Sequence, residues 1–154
     1  MLQQDSPKTS RSGRESRTRA LALTLSAIGA GFIIFTGTGY LLAPQSMAAN
    51  FGLPTTPDEA ANGFLNIKGV RDIATGLVIL AVLATRQYRA VGPVTLAIAL
   101  IPTGDMLTIL LRRGSTVTAL SVHGLTAALV AATGLLWMHT MRSRRTTHRS
   151  TNVK

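Results

Sequence analysis

No cysteine occurs in this 154-residue chain. Disulfides, thiolate metal sites and cysteine nucleophiles are therefore excluded. Charge is scarce as well, at 14 % of residues, where a soluble domain carries about 25 %. Acids are the rarer sign: 6 Asp and Glu stand against 16 Lys and Arg, for a formal net charge of +10. Aromatic residues make up 5 %, and none lies in the basic stretches at either end. Nucleic-acid recognition calls for a structured basic face, ideally with base-stacking aromatics, so nucleic acid is not an expected partner. The chain also lacks a phosphate-binding loop, a dinucleotide fingerprint and a nucleophile elbow, and no cofactor is expected.

What the chain has instead is hydrophobic length. Hydrophobic residues make up 46 %, gathered into long runs between two basic ends. Lys8, Arg11, Arg14, Arg17 and Arg19 lie before the first run; Arg142, Arg144, Arg145, Arg149 and Lys154 follow the last. That distribution belongs to an integral membrane protein whose basic ends set topology and attract anionic headgroups.

The expected fold class is all-α: one domain, a four-transmembrane-helix bundle with helices at about 20–42, 57–85, 91–111 and 116–141. Residues 1–19 and 142–154 read as disordered basic tails. The first run, 20–42, is too long for a signal-peptide core, so it is expected to stay uncleaved despite the weak cleavage-like Ser46-Met47-Ala48. Its Ala27, Gly29, Ala30, Gly31, Gly37 and Gly39 suit close helix packing in lipid. Thr56-Pro57-Asp58-Glu59 predicts a capping box opening the second helix, with Thr56 as the cap. Pro102 frees the carbonyl of Ile98 and predicts a kink in the third helix. The short link at Arg112-Arg113-Gly114-Ser115 makes the third and fourth helices antiparallel neighbours. Tyr40 and Trp137, near span ends, read as interfacial aromatics.

The positive-inside rule puts both termini in the cytoplasm, in a plasma (inner) membrane. With that orientation Tyr40, Lys68, Arg71, Asp72, Asp105 and His123 all fall at similar depth in the outer half of the bundle. Charges inside lipid are costly and need partners. Lys68 and Asp72 can pair at i, i+4, and Arg71 is then expected to contact Asp105 on another helix, directly or through water.

This polar cluster admits two readings: an ion-pair network that holds the bundle together, or a hydrated site that binds a polar group. The first reading of function is accordingly an integral membrane protein with a binding or structural role. The alternative is a membrane-embedded acid–base enzyme of isomerase or cyclase type on a lipophilic substrate, with Asp72, Asp105 and His123 as catalytic candidates. A small proton-coupled carrier is a further alternative. His123, Asp72 and Asp105 have no local metal-ligand spacing, so no metal is expected. The expected partners are the lipid bilayer, a second copy of the chain and a lipophilic small molecule.

Phe51-Gly52-Leu53-Pro54, then Lys68-Gly69-Val70-Arg71-Asp72 with Gly76, then Ile101-Pro102-Thr103-Gly104-Asp105, then His123-Gly124, in that order, resemble a family of small four-span membrane proteins classified as a domain of unknown function. The resemblance covers about residues 20–140. It implies a four-helix membrane fold and supplies no activity. The layout is also similar, in architecture only, to small membrane proteins of the DoxX-like kind.

Overall fold

The computed structural model describes the backbone of residues 8–151 and the side chains of residue 13 and of residues 16–141. These residues are helical throughout, apart from short links. In chain order they are α1 (Lys8–Leu42), the short α2 (Pro44–Ala49), a 3-10 turn (Glu59–Ala61), α3 (Asn62–Ala84), α4 (Tyr88–Ile98), α5 (Leu100–Leu111), a single turn α6 (Thr116–Thr118), a π-helical stretch (Ala119–Gly124) and α7 (Leu125–Thr151). Three segments are long and apolar enough to cross a membrane: Ser16–Leu42, Tyr88–Leu111 and Thr116–Met141. The second of the four expected spans, α3, has a span's length at 23 residues, but Lys68, Arg71 and Asp72 interrupt its apolar character.

Several boundaries differ from the sequence expectation, each for a local reason. Helix α1 begins by Lys8 and α7 runs through Thr151. Helical residues therefore occupy parts of both stretches expected to be disordered, while residues 1–7 and 152–154 lie outside the described residues. Extending an existing helix adds one hydrogen bond per residue without a new nucleus. The second helix starts later than residue 57, because the cap is Asp58 rather than Thr56. The Asp58 carboxylate accepts from the Ala61 N–H at 3.2 Å, which opens the 3-10 turn that leads into α3. The third expected helix is broken at Ala99, between α4 and α5, beside the Ile98 carbonyl that Pro102 cannot serve. The Thr103 hydroxyl donates to the Ala99 carbonyl at 2.7 Å, satisfying an acceptor at the break.

Two helix ends share one solution. At the end of α3, Arg86 N–H donates to Leu83 O and Gln87 N–H to Val82 O. At the end of α5, Arg113 N–H donates to Leu110 O and Gly114 N–H to Ile109 O. Both are Schellman closures, and both place an arginine, Arg86 or Arg113, at the left-handed position, with φ of 55° and 58°.

Packing is set by backbone-to-backbone approach. A Cβ on Gly37 would sit 2.6 Å from the Gly69 carbonyl oxygen, and one on Gly69 would sit 2.7 Å from that of Gly37. One heptad along, a Cβ on Gly76 would meet the Ala30 carbonyl at 2.7 Å. Helices α1 and α3 therefore bring their backbones together at these levels, with Ile34, Leu41 and Ile73 filling the space beside the glycines, the close approach that small residues permit. A second pair, α4 with α7, is joined in the same way through Gly92 and Gly134. By contrast, Gly29 and Gly31 of α1 face open space. The apolar core proper lies at one end, where Trp137 packs with Ala22 and Val91. Trp137 is thus fully buried, at 0 % exposure, and does not act as the interfacial anchor expected from its position; its indole N–H donates to the Ser26 hydroxyl at 2.9 Å, which removes the need for water at that atom.

Gly69→Ala and Gly76→Ala each force backbones apart and are expected to lower unfolding stability by about 1–3 kcal/mol, whereas Gly29→Ala leaves it unchanged or slightly higher. Thermal melts of the purified variants in one detergent check this.

Candidate functional site

The buried face of α3 carries Gly69, Asp72, Gly76 and Ile79. This spacing of three, four and three residues makes one helical stripe. Asp72 therefore points into the seam that the glycines close, and its side chain has 0 % exposure. A carboxylate there must be paired. Lys68, one turn earlier on the same face, donates to Asp72 Oδ2 at 2.6 Å. Arg71 reaches Oδ1 less tightly, at 3.3 Å from one terminal nitrogen and 3.4 Å from Nε. Its side chain remains half exposed, at 51 %.

The Lys68 ammonium has further neighbours. It lies 4.6 Å from the centre of the Tyr40 ring and 5.6 Å from that of Phe51, over faces whose quadrupoles attract a cation. Tyr40 is itself buried, brought to this level by α1 one turn beyond Gly37. Lys68 is thus held between a carboxylate and two aromatic faces.

The other half of the cluster is looser. Asp105 lies on α5, just past Pro102. His123 lies in the π-helical stretch, where the wider turn shifts side-chain register against the flanking helix. Gly124 lets α5 come near, since a Cβ there would sit 3.0 Å from the Met106 sulfur. His123 Nδ1 is 3.8 Å from Asp105 Oδ2, too far for a hydrogen bond. Its Nε2 is 3.2 Å from the Phe51 carbonyl. A carbonyl only accepts, so Nε2 carries the proton. In a neutral ring, Nδ1 then turns a lone pair toward the Asp105 carboxylate. Both atoms are acceptors, and a group with two donor hydrogens placed between them would satisfy both.

Phe51 joins the two halves. Its ring lies 4.7 Å from the imidazole, tilted by 59°, and also faces Lys68. The loop that presents it is clamped by backbone: Gly52 O accepts from the Ser115 N–H at 2.8 Å. Gly52 has φ of 101°, a left-handed conformation that glycine adopts freely.

The structure therefore brings together Tyr40, Lys68, Arg71 and Asp72 in one group, and Asp105 with His123 in another. A direct Arg71–Asp105 ion pair is not formed among the described residues. Arg71 pairs with its chain neighbour Asp72, which is already held in place, and the partner of Asp105 is His123. Sequence reasoning did not single out Phe51 as a site residue. The signal was its place beside Gly52 in a connection without Lys or Arg, where an aromatic has no span to anchor. Among the described residues, no group of three His, Asp or Glu is gathered for a metal ion.

A family model described as a domain of unknown function (DUF4267) matches residues 30–137. The chain belongs to this family. The matched stretch contains both halves of the cluster, from Tyr40 to His123, and ends at Trp137. No curated protein and no solved structure matches the chain, and no comparison bears out the DoxX-like likeness.

Asp72→Asn leaves Lys68 and Arg71 without their anion and is expected to cost about 3–5 kcal/mol of stability. The double change Lys68→Met with Asp72→Leu, which removes both buried charges, should recover most of that loss. Melting temperatures of the three proteins, read side by side, check both statements.

Proposed function

We propose that the chain is a four-span protein of the plasma (inner) membrane, with both termini cytoplasmic, and that its Asp105–His123 group binds the polar end of a lipophilic small molecule. The observation that carries this reading is the contrast between the two halves. Lys68 and Asp72 are in close contact at 2.6 Å, with the carboxylate fully buried. Asp105 and His123 stand 3.8 Å apart with Asp105 22 % exposed, and a group with two N–H hydrogens between them, such as a primary amide or an ammonium, would satisfy both acceptors. On this reading Lys68, Arg71 and Asp72 are the structural part, and Asp105 and His123 the part that recognises a ligand.

The crossing of α3 rests on two supports. Its 23 residues extend about 35 Å, enough for a hydrocarbon core of about 30 Å. Its outward face is mostly apolar: Phe64, Ile67, Val70, Leu77 and Val78 are exposed, as suits lipid contact, with Asn66 and Arg71 the polar residues among them, while its one acid is turned inward. With Lys68, Arg71, Asp72 and Asp105 the cluster sums to no net charge, which lowers its cost at membrane depth.

One observation favours a second reading, the acid–base enzyme. With Nε2 committed to the Phe51 carbonyl, Asp105 and Nδ1 of His123 border one gap, and a carboxyl and an imidazole so placed can give or take a proton at a substrate bound between them.

Lipid-resolved native mass spectrometry of the purified protein tests the binding reading. A bound mass other than bulk phospholipid is expected on the parent, reduced at least about tenfold in occupancy by Asp105→Asn, on the scale of one lost hydrogen bond to a charged group. Equal occupancy in parent and variant, or no bound mass together with a lower melting temperature for Asp105→Asn, would assign these residues to structure alone.

A further inference from the structure

The end of the bundle away from this cluster holds a second arrangement. Arg19 of α1 lies over the ring of Tyr88, its guanidinium carbon 4.4 Å from the ring centre. Tyr88 in turn stacks on Trp137, centroids 5.6 Å apart and planes 7° from parallel. Trp137 is fixed in the core by its bond to Ser26. The guanidinium therefore lies over an aromatic ring that is itself stacked on a second one. A guanidinium held against a ring has less side-chain freedom to lose on binding.

Arg19 has no counter-ion among the described residues. Its Nε is buried without a hydrogen-bond partner, and the ion pairs to Asp72 and Asp105 are made by other residues. Asp72 is about 16 Å of helix away from Leu83, which packs beside Trp137, and Asp105 about 20 Å from Val91. Glu15, one turn before Arg19, lies outside the described side chains. Other bases gather here instead. Arg86 and Arg89 flank Tyr88 in sequence and are exposed, as is Arg17. Arg19 itself is only partly buried.

We propose that Arg19, with Arg86 and Arg89, forms a phosphate-binding site at this end of the bundle, and that the phosphate it takes is that of an anionic phospholipid headgroup. A planar guanidinium held on an aromatic face offers parallel N–H donors suited to a phosphate. The location selects the source: the apolar span of α1 starts at Ser16, which puts Arg19 at the level where headgroup phosphates lie. The site is independent of the Asp105–His123 group, and Arg19 precedes the family-matched stretch.

The test uses the full-length protein in nanodiscs of phosphatidylcholine with and without phosphatidylglycerol, scoring lipid retained through extraction by native mass spectrometry. The parent is expected to retain phosphatidylglycerol over phosphatidylcholine, Arg19→Gln to lose about tenfold of that preference, and Arg19→Lys to recover only part of it because the fork and the stack are gone. Arg86→Gln, on an exposed link, should weaken retention without endangering the fold. Arg112→Gln, at the other end, should not. Retention unchanged in Arg19→Gln, or lowered equally by Arg112→Gln, overturns the site. A tenfold rise in Glu15→Gln would mean that this carboxylate occupies the place given to phosphate, and overturns it too. In a separate arm, inorganic phosphate is added in phosphatidylcholine alone. A saturable change in the emission of Trp137, the single tryptophan, would keep the phosphate site and overturn its assignment to lipid; the expected result is no change.

Discussion

The pairing of Asp72 constrains everything around it. A carboxylate in the seam between α1 and α3 is tolerable only if its charge is met at close range, and Lys68 meets it at 2.6 Å. That fixes which face of α3 turns inward. The same face must then carry Gly69 and Gly76, because α1 lies against it at backbone distance. Tyr40 follows from this crossing, since one turn past Gly37 it closes over the Lys68 ammonium. A shift of α3 by one residue about its axis would expose Asp72 and push side chains into the Gly37 carbonyl.

From that fixed half, the looser half is reached through Phe51. The connection between α2 and α3 is not a passive link. Its Gly52 carbonyl is bonded to Ser115, and its Phe51 touches both the lysine and the histidine. Binding at Asp105 and His123 would therefore be felt at Phe51 and, through its ring, at Lys68. The other end of the bundle has no such loop. There the aromatic stack of Tyr88 and Trp137 supports Arg19, and the two ends of the bundle have opposite chemistry. One end is internally neutral; the other is basic and unbalanced among the described residues.

Much of this arrangement was legible in the chain. The apolar runs pointed to four spans, of which three are long and apolar enough to cross a membrane, and the i, i+4 spacing pointed to the Lys68–Asp72 pair. Pro102 located the break near Ala99, because a missing N–H acts on a known carbonyl. Common depth grouped Asp105 with His123. Other features were hidden for physical reasons. Helix rotation decides whether Arg71 turns toward Asp105 or folds back on Asp72, and periodicity does not fix rotation between helices. The same uncertainty hid the burial of Trp137: a tryptophan near a span end suits an interface or a core equally well until a hydroxyl such as Ser26 is seen beside it. The π-helical stretch at Ala119–Gly124 leaves no propensity signature. Phe51 belonged to a loop, where contacts depend on the fold around it.

The central claim is that α3 crosses the bilayer because its charges are met within the protein. The absence of cysteine makes this directly measurable. Single cysteines at the exposed positions Thr55, Gln87 and Thr116 can be labelled in intact cells or sealed vesicles with a membrane-impermeant maleimide. The account predicts that Thr55→Cys and Thr116→Cys react from one side of the membrane and Gln87→Cys from the other. Labelling of Gln87→Cys from the same side as Thr55→Cys would mean that α3 does not cross, and would contradict the account.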